Sequence, residues 1–186
     1  MKSDTVLIDA DGWLESAERV PSPNFDRRPE GERISLIVVH GISLPPGEYG
    51  GPYIRDFFQN QLDASAHDYF AGICEMRVSA HCLIERDGRT VQFVSFDDRA
   101  WHAGQSSWRG RSACNDFAVG IELEGCDDDA YAEPQYHALA ALIRALRVKY
   151  PGIDANAVTG HSDIAPGRKT DPGPAFDWDR LNDLLG

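Results

Sequence analysis

Leu36-Ile37-Val38-Val39 runs without a polar break into His40, and this stretch limits what the chain can fold into. A short apolar run rich in branched residues reads as a buried strand, here placed over Ile34 to His40. Phe117, Val119, Ile121 and Leu123 alternate with Ala118, Gly120 and Glu122, which predicts a second strand with two distinct faces. Val78 to Glu85 and Arg89 to Ser95 flank Asp87-Gly88. That pair tolerates the positive φ of a type I′ turn, so the segment predicts a hairpin. The clearest helix starts near Pro134: Tyr136, Leu139, Ile143, Leu146 and Tyr150 recur at steps of three and four until Pro151-Gly152. A short helix from Ile54 to Gln61 and a closing helix from near Trp178 complete the pattern. Strands and helices mixed in this way predict a single α/β domain, a central sheet covered by helices, over residues 34–186. Residues 1–33, spaced by Pro21, Pro23 and Pro29, read as an arm wrapped on that domain.

A chain of 186 residues is long enough to bury a core without disulfides. Its formal charge of −12 argues against nucleic acid or an anionic membrane surface as the main partner. An acidic substrate is still compatible, because a metal ion and local cations can reverse the field inside a pocket. Nothing approaches the roughly 20 apolar residues of a spanning helix, and the first residues lack the apolar core of a signal peptide. The expected setting is therefore the cytoplasm. Cys74, Cys82, Cys114 and Cys126 form no CxxC pair and read as buried free thiols.

The richest chemistry lies between Gly160 and Pro174, where His161, Lys169 and Asp171 share a segment stiffened by Pro166, Pro172 and Pro174. Proline restricts the residue before it, so Pro172 aims Asp171. Two histidines, His40 and His161, with one aspartate supply the nitrogen and oxygen donors of a catalytic zinc ion with an open position. Asp163 competes with Asp171 for the oxygen ligand. A water activated in such a site needs a proton acceptor. Glu122 suits this on the small-residue side of its strand beside Gly120, where a ligand could approach, but Glu124 has the same parity. Lys169 offers positive charge for an oxyanion. Trp101-His102 could line a sugar or peptide groove, His81 reads as structural or as support for the metal site, and His67 and His137 have no supporting context.

With these residues assembled, the chain resembles the AmpD-type cytoplasmic amidases that act on anhydro-muropeptides in cell-wall recycling. The likeness runs through Val20-Pro21-Ser22-Pro23-Asn24-Phe25, Val38-Val39-His40, Ile42-Ser43-Leu44-Pro45-Pro46-Gly47 and Val78-Ser79-Ala80-His81. It continues through Ala100-Trp101-His102-Ala103-Gly104, Asn115-Asp116-Phe117, Gly120-Ile121-Glu122-Leu123-Glu124-Gly125 and Lys169 to Trp178. The family belongs with phage lysozyme-type amidases and animal peptidoglycan recognition proteins, built on a mixed central β-sheet flanked by α-helices. The resemblance implies His40, His161 and Asp171 as zinc ligands, Glu122 as proton acceptor and Lys169 as transition-state stabiliser. It implies hydrolysis of the amide between the lactyl group of 1,6-anhydro-N-acetylmuramic acid and L-alanine, on a small-molecule muropeptide. Arg77 matches a position used for a peptide carboxylate, and Trp101 and His102 are expected at the substrate. Where relatives carry asparagine after the first histidine this chain has Gly41, and Ala113 replaces an arginine, with Arg111 nearby. Two rival readings share the resemblance: an amidase of intact peptidoglycan, and a non-catalytic peptidoglycan-binding module.

Overall fold

The structure, a computed structural model, describes residues 6–186. Its strands are β1 (Glu18–Arg19), β2 (Phe25–Arg27), β3 (Leu36–Ile42), β4 (Cys82–Ile84), β5 (Thr90–Gln92), β6 (Asp98–Ala100), β7 (Ser107–Trp108), β8 (Arg111–Ser112), β9 (Ala118–Glu124) and β10 (Val158–Gly160). The α-helices are α1 (Tyr53–Phe58), α2 (Glu133–Lys149), α3 (His161–Ile164) and α4 (Trp178–Leu185). Six strands form one sheet in the order β1-β5-β4-β9-β3-β10. It is mixed: β4, β9, β3 and β10 run parallel, and β5 is antiparallel to β4. No helix among the described residues is long and apolar enough to cross a membrane.

The alternation on β3 and β9 decides which residues reach which face. Ile37 and Val39 of β3 and Val119, Ile121 and Leu123 of β9 join the core beneath α2, packed on Leu139, Ile143 and Leu146. Leu36, Val38 and Ala118 point to the opposite face, into a smaller core with Phe117 and Ile164. His40 and Glu122 share the parity of that second face, so the helix-covered side holds the bulk of the core and the other side is free for chemistry. β3 runs two residues past its predicted end, because Gly41 and Ile42 continue the parallel ladder against Leu123 and Glu124.

The hairpin forms, with a different turn. Gly88 donates to the Glu85 carbonyl and Glu85 to that of Arg89, with Gly88 alone at positive φ. This is a three-residue loop closed by a glycine bulge, because Asp87 keeps negative φ. The type I′ turn lies instead at Arg109-Gly110, both at positive φ, between β7 and β8. Arg109 is held there by stacking 4.0 Å over the Trp108 ring and by an ion pair to Asp154. The paired strands β4 and β5 are also shorter than their apolar runs: the His81 carbonyl still accepts the Phe93 amide, but Ser79 bonds instead to Trp101.

The segment before β3 is fastened by polar side chains. Buried Ser22 donates to the Phe58 carbonyl, and buried Asn24 donates to the Val78 carbonyl and pairs with Asn60. Arg28 donates to four carbonyls, those of Phe96, Asn115, Asp116 and Ala118. Burial lowers its guanidinium to about 10. Replacing Arg28 by Met would strand those carbonyls, each worth about 1–3 kcal/mol if left unpaired. Arg28→Met is expected to lower unfolding free energy by at least about 3 kcal/mol, measured from the urea midpoint at unchanged slope.

Candidate metal centre and active site

Parallel register assembles the site at the carboxyl ends of the strands, where open α/β sheets place their ligands. His40 is paired directly with Glu122 across the β3–β9 ladder. Gly160 pairs with Val39, so His161, the next residue and the first of α3, arrives beside His40. Asp171 is carried back to the same spot, its carbonyl accepting the Ser162 amide at 3.0 Å.

Three donor atoms meet there. His40 Nδ1 lies 3.0 Å from His161 Nδ1 and 3.2 Å from Asp171 Oδ2, and His161 Nδ1 lies 3.1 Å from the same oxygen. Tetrahedral zinc with bonds of about 2.0–2.1 Å sets ligand atoms roughly 3.3 Å apart, close to this triangle. His161 Nε2 is 3.2 Å from the Ala103 carbonyl, which only an N–H can satisfy. The network therefore assigns the proton to Nε2 and leaves Nδ1 an open electron pair. Electron pairs aimed at one point, with both imidazoles almost fully buried, fit a cation. Among the described residues this is the one group of three such side chains whose donor atoms lie within 4.8 Å of one another.

The rival carboxylates are engaged elsewhere. Asp163 Oδ2 accepts from the Thr159 hydroxyl at 2.8 Å and the Gly160 amide at 2.9 Å, holding the start of α3. Glu124 accepts the Gly50 and Arg86 amides, pinning the loop after β3 to the hairpin. Glu122 keeps Oε2 buried and without a partner. Burial first, then the Asp171 carboxylate, pushes Glu122 well above the usual carboxylate range, while Lys169 pulls it down. Burial would raise Asp171 too, but its contacts with His161 and His40 outweigh that and hold it far below the usual range.

A cavity of about 580 Å³ opens over these groups, bordered by Trp101, His102, Glu122, Lys169 and, from the Pro-Gly loop, Leu44 and Pro46. A larger hollow of about 800 Å³ by Arg27, Arg33 and Tyr150 contains none of the three donors. Lys169 is exposed at the cavity edge. Trp101 donates its indole N–H to Asp26. Arg77 stands beside the rim residues Met76 and Val78, its guanidinium turned to the Cys74 and Met76 carbonyls and to Glu75. The space beside Gly120 is filled by a side chain: a Cβ there would sit 2.4 Å from the His102 ring, so the glycine makes room for that imidazole. His81 is buried and accepts the Gly120 amide on Nδ1, whereas His67 caps a 3₁₀ turn and His137 pairs with Glu133 on the surface. Cys82 and Cys114 are buried free thiols, but Cys74 and Cys126 are only partly covered.

Tyr131 supports the site from outside the apolar pattern and the motifs. Its buried hydroxyl donates to the Pro172 carbonyl at 2.9 Å, next to Asp171. The side chain passes so near Gly41 and Gly125 that a Cβ would lie 2.2 Å from its hydroxyl at Gly41 and 2.4 Å from its ring at Gly125. Two glycines at the ends of adjacent strands were the only sequence trace of that ring.

The profile described as N-acetylmuramoyl-L-alanine amidase matches residues 30–174. The chain belongs to the N-acetylmuramoyl-L-alanine amidase family. It is 61% identical over 180 residues to the 1,6-anhydro-N-acetylmuramyl-L-alanine amidase AmpD of Citrobacter freundii, covering 97% of this chain and 95% of that one. A crystal structure of a selenomethionine AmpD derivative superposes with a TM-score of 0.93 at 60% identity, covering 97% and 99% of the two chains. AmpDh3 of Pseudomonas aeruginosa, crystallised with anhydromuramic pentapeptide, superposes at 0.61 with 31% identity, covering 84% of this chain and 61% of that one. The amidase thus shares the AmpD-type α/β fold over nearly its whole length.

Two measurements follow for this amidase. Tyr131→Phe strands the Pro172 carbonyl and is expected to cost about 1–2 kcal/mol by urea unfolding. Burial lowers His40 to about 4 and His81 to about 3. Unfolded histidines take up protons below about pH 6.5 while these two stay neutral, so acid favours the unfolded chain. Metal-free protein should lose stability as pH falls from 6.5 toward 4, by up to about 1.4 kcal/mol per pH unit per histidine. His81→Asn, which keeps an acceptor for Gly120, should flatten that slope when urea midpoints at pH 7 and pH 5 are compared.

Proposed function

We propose that the chain is a zinc-dependent amidase of cell-wall recycling. It cleaves the amide between the lactyl group of 1,6-anhydro-N-acetylmuramic acid and L-alanine. The observation that carries the reading is the convergence of His40 Nδ1, His161 Nδ1 and Asp171 Oδ2 beside an unpartnered buried carboxyl. The AmpD relatives and the anhydromuramic pentapeptide bound to AmpDh3 support the substrate class.

His40, His161 and Asp171 would hold the metal. Zinc in such a site supplies Lewis acidity, polarising the amide carbonyl and making water acidic enough to attack near neutral pH. Glu122 accepts the proton of the attacking water as its oxygen bonds to the lactyl carbonyl carbon. A carboxyl held above the usual range suits this task, because it holds the accepted proton more firmly than an ordinary carboxylate would. Glu122 then returns that proton to the departing alanine nitrogen as the C–N bond breaks. Lys169 faces the charge that grows on the carbonyl oxygen. Products are a lactyl carboxylate and a peptide with a free amino terminus. Trp101 offers a ring face to the sugar or peptide, His102 borders the same cavity, and Arg77 at the rim offers a cation to a peptide carboxylate. The four unpaired cysteines support a reducing setting, the cytoplasm.

Exhaustive chelation should abolish turnover and added zinc restore it. Glu122→Ala is expected to keep its zinc while kcat falls by about 10²–10⁴. Full turnover by that variant would reassign the base. Product analysis with synthetic anhydro-muropeptides, their non-anhydro counterparts and whole sacculi tests the substrate. Release of free peptide from sacculi at an equal rate would favour the intact-wall reading, and binding without release the non-catalytic one.

A further inference from the structure

We infer that His102 is a positioning residue for His40, acting on the metal centre through the second nitrogen of that imidazole rather than by touching substrate. The inference rests on the metal-centre reading above. His102 Nδ1 lies 2.9 Å from His40 Nε2, and the two rings meet edge to face at 85° with centroids 5.0 Å apart. A ligand that gives its Nδ1 pair to a cation must carry its hydrogen on Nε2. Within reach of that nitrogen stands His102 Nδ1, which therefore accepts, and the hydrogen of His102 falls on its own Nε2.

His102 is held for this contact from several sides. Asn115 Oδ1 accepts the backbone amides of His102 and Ala103, at 3.2 Å and 2.8 Å. Gly120 supplies the space for the ring. His81 meets it on another side at a centroid distance of 5.8 Å. Its Nε2 is buried with no partner, so the ring is anchored through Nδ1 alone. One stretch thereby serves both histidine ligands: His102 takes the Nε2 hydrogen of His40, and the Ala103 carbonyl that of His161. Partners of this kind fix ring orientation and raise ligand basicity, and removing one commonly costs 10–100-fold in metal affinity.

The test measures zinc affinity by chelator competition for wild type, His102→Leu and His102→Asn, with the melting temperature of each metal-free protein. Asparagine carries an acceptor where histidine has Nδ1, and leucine carries none. About 10–100-fold weaker binding is expected for Leu, with Asn within about threefold of wild type. Equal losses in both variants, or none in Leu, would overturn the inference. Should the Leu variant not fold, long-range ¹⁵N–¹H spectra of zinc-loaded wild type decide it. Both His40 and His102 are expected as the Nε2–H tautomer, and a proton on Nδ1 of His102 would overturn the proposal. Wild type that binds no zinc defeats the metal-centre reading itself, whereas zinc bound with the other tautomer defeats only this inference.

Discussion

Parallel pairing of β3 with β9 is the constraint on which the site depends. It sets His40 opposite Glu122 on the face turned away from α2, while Ile37, Val39, Val119, Ile121 and Leu123 fill the core under that helix. A slip of one residue in either strand would drive a charged or imidazole side chain into that core and expose a branched aliphatic residue. The hydrophobic packing that stabilises the domain therefore also fixes the separation of His40 and Glu122. β10 extends the same logic by one strand, which is why His161 needs only a single residue after the ladder to reach His40.

Burial then sets the protonation states that the chemistry needs. His40 and His81 are held below the usual imidazole range chiefly by loss of water, so they stay neutral where the protein would work. Neutral imidazole is the form that ligates. Edge-to-face contacts between His40, His161 and His102 aim ring nitrogens at one another instead of stacking their faces. The same dryness raises the Glu122 carboxyl above the usual carboxylate range, and a divalent cation nearby would oppose that. A chain of net charge −12 thus builds a local site whose open electron pairs select for a cation.

What could be read from the sequence was what depends on period. The buried strand, the stripe of α2 and the position of the hairpin all follow from apolar spacing. Turn type did not, because Asp87 remains at negative φ whereas Arg109, a residue with no such preference, is held at positive φ by Trp108 and Asp154. Parity could not choose Glu122 over Glu124, nor proximity Asp171 over Asp163. The deciding partners of Glu124 are amides of Gly50 and Arg86, distant in sequence, and Asp163 is taken by a cap formed only once α3 exists. The family resemblance implied both choices, and the hydrogen bonds show where Glu124 and Asp163 are engaged instead. Tyr131 bonds to a backbone carbonyl, so its only mark on the sequence is the pair of glycines it crowds.

The segment before β3 explains how so much irregular chain around the site keeps its shape. Stretches 59–81 and 101–117 contain short 3₁₀ turns and a small hairpin but little ladder to satisfy their carbonyls. Unpaired backbone groups in a dry interior are costly, so something else has to donate. Ser22, Asn24 and Arg28 do so, reaching the carbonyls of Val78, Asn115 and Asp116 in those stretches and of Phe58, Phe96 and Ala118 outside them. Ser79 closes the circuit, giving its hydroxyl hydrogen to Asn24 and accepting the amide of Trp101, one residue before His102. Order at His40 and His161 is thus transmitted from the segment before β3 through backbone carbonyls, and a loss of its donors, far upstream of β9, would loosen the segment that supports both imidazoles.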